Sequence, residues 1–222
     1  MTLSVRNLNV RIEQIPVLRD VAFDVPEGAM VGLVGRNGAG KTTLLRSIMG
    51  LLPVESGAIT IHGTDVTAVP GHRRAGMGVS YLPEDRRLIP QLTVEENILL
   101  PAWANGLADF PTRLEWIYGL MPEVADFRAR RALQLSGGQQ KLVALARALM
   151  PGRRLLLLDE PFEGVAPVLS RRLTEVIGRL RQEGLSVILS ESDAVHSADL
   201  VDSVYRIERG VVTAGTSGSE NP

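Results

Sequence analysis

Polar and apolar positions alternate from Leu3 to Ile12 and again over residues 17–25, with Ile15-Pro16 breaking the two runs. A period of two predicts an antiparallel pair of half-buried strands. Short apolar runs at Met30–Val34 and Val79–Leu82 read as further strands, and residues 153–161, with four leucines at 155–158, as one buried on both faces. Residues 57–61 and 187–189 add two more, and residues 203–207 with 211–213 close as a hairpin around Arg209-Gly210. Helical spacing takes over elsewhere. Residues 44–49 read as a helix, residues 169–181 as an amphipathic one, and Leu142, Leu145, Ala146 and Leu149 share one face of a helix that opens at residues 135–140 and runs to about Met150. Two capping boxes mark helix starts, Thr93 with Glu96 and Ser136 with Gln139. Between the strands, residues 88–134 show no strand pattern. Prolines 101, 111 and 122 divide this stretch into short helices, read as a small inserted helical subdomain. Trp103, Phe110, Trp116, Tyr118 and Phe127 lie in it; a small subdomain needs such side chains for its core, and an exposed docking surface is the alternative. The polar tail 216–222 is expected to be disordered.

One apolar run changes the picture. After Met30–Val34 comes Gly35-Arg36-Asn37-Gly38-Ala39-Gly40-Lys41-Thr42-Thr43, and then a helix. Strand, glycine loop and helix are the setting in which G-x-x-x-x-G-K-[ST] cradles phosphates. Gly35, Gly38 and Gly40 let backbone N–H groups turn inward, with Asn37 and Ala39 between them, and the helix N-terminus adds positive potential. Lys41 is placed to reach the β- and γ-phosphates, Thr42 to ligate Mg²⁺, and Thr43 to donate to an inner phosphate. The chain has 22 arginines and only two lysines, Lys41 and Lys141. One lysine thus stands where a compact ammonium suits phosphates better than a planar fork. A nucleoside triphosphate is the expected ligand. The buried run 153–158 ends in Asp159-Glu160, 118 residues beyond Lys41. Acids at the end of a central strand lie beside the phosphate loop in open α/β sheets, so Asp159 is expected to hold Mg²⁺ and Glu160 to polarise the attacking water.

Composition narrows the function classes. A formal net charge of −1 argues against a non-specific nucleic-acid binder, and the arginine clusters at 73–74, 86–87, 128–131 and 171–172 read as solvated faces. The absence of cysteine excludes disulfides and thiolate metal sites. His62, His72 and His196 show no metal-ligand spacing, and His196 is expected at the surface. No signal pattern and no apolar run of about 18 residues is present, so any membrane role is expected to come through a partner.

A third motif, Leu135-Ser136-Gly137-Gly138-Gln139, lies between the other two and resembles the signature of ATP-binding cassette (ABC) ATPases. The resemblance runs from Leu3 to about Thr213. It implies an α/β P-loop NTPase core, a mixed sheet flanked by helices with an antiparallel β edge, formed by residues 1–87 and 135–215. Residues 88–134 would be its inserted α-helical subdomain, within one domain of residues 1–215. It also implies ATP and Mg²⁺, and a head-to-tail pair of cassettes in which Ser136, Gly137, Gly138 and Gln139 of one cover the nucleotide held by the other. Within the family the chain looks most like the ATP-binding subunits of branched-chain amino acid importers. Residues 83–87, 92–98 and 160–167 carry that likeness, and Glu84 stands where a glutamine loop usually contributes to the metal. This implies permease subunits, indirectly a solute-binding protein, no nucleic acid, and a peripheral place on the cytoplasmic face of the inner membrane.

Three positions depart from the family pattern. Ile12, with Val17 beside it, stands where an aromatic residue usually stacks on adenine, so the ring contact is aliphatic. Ser192 takes the place of the switch histidine, which points to slow hydrolysis and to a heteromeric pairing with a more active partner. Residues 162–165 replace the usual small-residue loop. The alternatives are a non-transport ABC ATPase, a P-loop kinase, which has no use for residues 135–139, and a regulatory cassette of low turnover.

Overall fold

The computed structural model describes residues 1–193 and 197–215; the tail expected from Thr216 and the placement of His196 lie outside the described residues. Two sheets form the frame. β1 (Leu3–Ile12) and β2 (Ile15–Val25) pair antiparallel as the alternation predicts, and β4 (Ser56–Ile61) joins on the other side of β1. The break between β1 and β2 falls at Glu13-Gln14, with Glu13 at φ 56°, and not at Ile15-Pro16. Pro16 sits within β2, an edge strand of this sheet, where a missing N–H costs no ladder bond. β5 (Thr64–Asp65) follows β4 through the tight turn His62-Gly63, both residues at positive φ, and closes the sheet order β2-β1-β4-β5.

The second sheet sets the chemistry. Its order is β10-β9-β3-β8-β7-β6, from β3 (Met30–Val34), β6 (Val79–Leu82), β7 (Leu155–Asp159), β8 (Ser186–Glu191), β9 (Ser203–Glu208) and β10 (Val211–Gly215). All pairings are parallel except β9–β10. Every residue of β7 and β8 is buried, as expected for strands covered on both faces. β3 lies between β8 and β9, so the ends of β3, β8 and β7 stand side by side, where ligands bind in open α/β sheets.

Helices cover both faces. α1 (Lys41–Ile48) packs between the two sheets, in the core that contains Leu44, Leu45, Val31, Leu157 and Ile188. A short α2 (Gly71–Gly76), absent from the sequence expectations, precedes β6. On the other face α3 (Val94–Asn105), α4 (Phe110–Leu120), α5 (Pro122–Asp126), α6 (Gly137–Leu149) and α7 (Pro167–Gln182) share a second core. Both capping boxes form: Glu96 N donates to Thr93 Oγ1 at 3.1 Å, and Gln139 N to Ser136 Oγ at 3.3 Å. Pro111 and Pro122 open α4 and α5, but Pro101 lies inside α3 and does not divide it. One missing N–H is tolerated there because Val94, Ile98, Leu99 and Ala102 are buried in that core. Of the five aromatics only Phe127 is buried; Phe110, Trp116 and Tyr118 are half-buried, and Trp103 is 52% exposed. No helix among the described residues is long and apolar enough to cross a membrane.

Candidate functional site

The glycine loop turns between β3 and α1 with Gly38 at φ 80° and Gly40 at φ 113°, conformations that a side chain disfavours. A Cβ on Gly35 would collide with the carbonyl oxygen of Ile207. A cleft of about 230 Å³ opens above the loop, lined by Val17, Asn37, Gly38, Gly40, Lys41, Thr42, Thr43, Glu84 and Glu160. Half of the residues expected to bind nucleotide or metal line this cleft; Gly35 and Ala39 belong to the loop beneath it, and Asp159 is reached through Thr42. Ile12 lies at the end of β1, 43% exposed, outside the lining. Ser136, Gly137, Gly138 and Gln139 are also outside it, and Gly137 faces the Arg86 guanidinium.

Lys41 is buried, with 4% of its surface exposed. Its ammonium donates to the carbonyls of Gly35 and Arg36 and forms an ion pair with Glu160 Oε1 at 2.9 Å. Lys141, 1% exposed, donates to the Glu160 carbonyl at 3.1 Å, and burial, together with Arg86, holds its pKa below the usual lysine range. Both lysines of the chain therefore bracket one residue. Glu160 itself has φ 47°, a strained conformation for a non-glycine residue and one that recurs at functional positions. Its N–H reaches the carbonyl and the hydroxyl of Ser190, each at 3.2 Å.

Asp159 is fully buried and receives three hydroxyl donors. Thr42 Oγ1 donates to Oδ1 at 3.2 Å, Ser190 Oγ to Oδ1 at 2.8 Å, and Tyr81 Oη to Oδ2 at 2.8 Å. Burial and the Asp159 charge push the Tyr81 phenol well above its usual range, so it stays a donor. Sequence reasoning missed Tyr81, Ser190 and Lys141. The available signal was polar side chains, Ser80 and Tyr81 in β6, Ser186, Ser190 and Glu191 in β8 and Lys141 in α6, inside otherwise apolar buried elements. Ser192 Oγ stands 2.8 Å from Asn37 Oδ1 and 3.2 and 3.3 Å from the Glu160 carboxylate oxygens. A hydroxyl carries one proton, so it donates to one of these acceptors at a time.

Beside Ser192, Glu191 is buried at 5% exposure, and burial, reinforced by Asp193 and Glu160, raises its pKa to about 7 against the lowering effect of Ser197. Among the described residues no three His, Asp or Glu side chains converge as a metal cage. A buried carboxylate that accepts from a cleft-facing threonine hydroxyl, with Glu84 on the same rim, nevertheless fits Mg²⁺. That ion is usually held by one or two protein oxygens together with substrate phosphates and water.

Comparison with known proteins gives one consistent answer. The ABC transporter family model matches residues 18–163. The high-affinity branched-chain amino acid transport ATP-binding protein BraG of Pseudomonas aeruginosa is 35% identical over 206 residues, 93% of this chain and 88% of that protein. The lipopolysaccharide export system ATP-binding protein LptB of Escherichia coli is 32% identical over 221 residues, 99% of this chain and 92% of that protein. A solved ATP-binding subunit of an ABC transporter superposes with a TM-score of 0.84 at 31% identity, covering 96% of this chain and 89% of that one.

Proposed function

This chain belongs to the ABC transporter family, and from that premise we propose that it is the ATP-hydrolysing subunit of an importer for branched-chain amino acids or related amides. The observation that carries the hydrolytic reading is the meeting of Lys41 and Thr42 with Asp159 and Glu160 in one cleft. The loop amides and Lys41 bind the phosphates, and Thr43 donates to an inner one. Thr42, Asp159 and Glu84 would hold Mg²⁺, which when bound neutralises charge on the phosphate oxygens. Glu160 accepts a proton from the water whose oxygen attacks the γ-phosphorus as the bond to ADP breaks. Ser192, in reach of the Glu160 carboxylate, orients it.

Ser136–Gln139 lie outside their own chain's cleft, which supports a role over the nucleotide of a second cassette, identical or different. Residues 88–134 serve as the helical subdomain that meets the permease. The assembly places the chain peripherally on the cytoplasmic face of the inner membrane, served indirectly by a solute-binding protein. The likeness to BraG favours import; the likeness to LptB supports export of an envelope lipid as the second reading. Uptake of labelled leucine, isoleucine and valine in cells carrying Lys41→Ala tests this. Uptake should fall to background. Unchanged uptake would refute the importer reading, and a lipid-export defect in the same cells would put the second in its place.

A further inference from the structure

Asp159 is held from both sides of its own strand. Tyr81 lies on β6 and Ser190 on β8, the two neighbours of β7, with Ser190 directly opposite Asp159 in the ladder. Ser190 Oγ accepts from Glu160 N, so its single proton is directed to Asp159 Oδ1. Tyr81 is half-buried and its ring packs against the core, and its hydroxyl donates to Oδ2. A carboxylate oxygen has two lone-pair sites. Oδ1 is filled by Ser190 and Thr42, whereas among the described residues Oδ2 accepts from Tyr81 alone. Of the three donors only Thr42 lines the cleft, so it alone is free to release Asp159 for a cation.

We propose that Tyr81 is a positioning residue for the metal-dependent reaction: its phenol fixes the buried Asp159 carboxylate so that, when Thr42 lets go, a preset oxygen faces a divalent cation. This rests on reading the cleft as the site of the magnesium–nucleotide complex. A side chain that merely satisfied a buried acid would affect stability at every magnesium concentration. A positioning side chain also moves the magnesium dependence of binding, which a merely stabilising one leaves unchanged. Loss of an outer partner of a metal ligand typically costs about 10- to 100-fold in metal affinity. Nucleotide phosphates and water share the hold on Mg²⁺, which places the effect near the low end.

The test is Tyr81→Phe, which keeps the ring and removes one oxygen, with Ser190→Ala as an independent second variant. A fluorescent ATP analogue is bound to each purified chain in EDTA and then across a Mg²⁺ titration, repeated with Mn²⁺, and melting is measured without nucleotide. The half-saturating Mg²⁺ should rise about tenfold in Tyr81→Phe, while the affinity in EDTA matches wild type; the melting temperature falls by a few degrees because the buried Oδ2 loses its donor. Ser190→Ala should shift the Mg²⁺ curve in the same direction. Superimposable Mg²⁺ curves, or an equal loss of affinity in EDTA, would overturn the proposal. A wild-type chain that bound no nucleotide with or without metal would sink the underlying reading of the cleft instead.

Discussion

The Lys41–Glu160 ion pair makes the resting cleft a competitor of its own substrate. Both partners are nearly buried, with 4% and 10% of their side chains exposed, and lie 2.9 Å apart. At an effective dielectric of about 20, that separation corresponds to about 6 kcal/mol of attraction. Desolvation of both charges offsets much of it, and close charge pairs measured by double-mutant cycles fall in a range that begins at about 1.5 kcal/mol. The β- and γ-phosphates must take Lys41 away from Glu160, so this coupling is subtracted from the affinity for ATP. Glu160→Gln keeps the shape and the contact with Ser192 but removes the competing charge. It should bind a non-hydrolysable ATP analogue about 10- to 100-fold more tightly, equivalent to about 1.4–2.8 kcal/mol. Titration calorimetry at a concentration that keeps the chain monomeric measures this, and the analogue removes any contribution from arrested turnover. AMP carries no phosphate that reaches Lys41, and its affinity should move less than about twofold, well under 1 kcal/mol. Equal tightening for AMP and the ATP analogue, or none for the latter, would refute the competition.

Two further outcomes follow from buried charges elsewhere. Arg74 is 1% exposed and donates to the carbonyls of Ser47, Ile48, Thr67 and Val69, tying the end of α1 to the segment before α2. Burial holds its pKa below the usual arginine range. Arg74→Met removes the guanidinium from all four carbonyls, leaving Ser47 O only its bond from Gly50 N, and should cost about 3–5 kcal/mol, seen calorimetrically as a fall in Tm of about 10 °C. A fall of only a degree or two would show that water replaces the guanidinium. Glu191 has a folded pKa raised from 4.5 to about 7, chiefly by burial. The protonated form is therefore favoured in the folded chain. Stability is undiminished below the unfolded value, falls as pH rises from about 4.5 to about 7, and stays low above that, by at most about 3 kcal/mol. Urea unfolding at pH 5 and pH 8 should show Glu191→Gln gaining on wild type at the higher pH. A gap that does not change with pH would refute the burial argument.

The fold was legible where the local pattern and the tertiary outcome share a cause. Alternation announces β1 and β2, and unbroken apolar runs announce the doubly covered strands, because burial on one or two faces is what selects those residues. The capping boxes are contained in four residues each and formed as written. The glycine loop carried its own geometry in the same way. What escaped depends on neighbours remote in sequence. α2 reads Gly-His-Arg-Arg-Ala-Gly and has no apolar period; its identity comes from Arg74 reaching backbone carbonyls of α1. Tyr81 and Asp159 are 78 positions apart and meet only because β6 pairs with β7. Pro101 looked like a helix end because local sterics disfavour it, yet packing of the surrounding α3 residues outweighed one lost bond.

The scarcity of lysine has a consequence for how the chain meets reagents and modifying enzymes. Its two ε-amines are the buried pair around Glu160, so every fixed positive side-chain charge on the described surface is a guanidinium. Acylation of lysine has no exposed target on the folded chain, and labelling of Lys41 itself by an amine-directed reagent, read apart from the exposed Met1 α-amine, would report on the opening of the cradle and on its protection by nucleotide. A guanidinium also keeps its charge across the physiological range. Partners of that surface meet flat, two-pronged donors of constant charge, suited to carboxylates and phosphates. Changes of charge on the described surface then fall to its carboxylates and histidines.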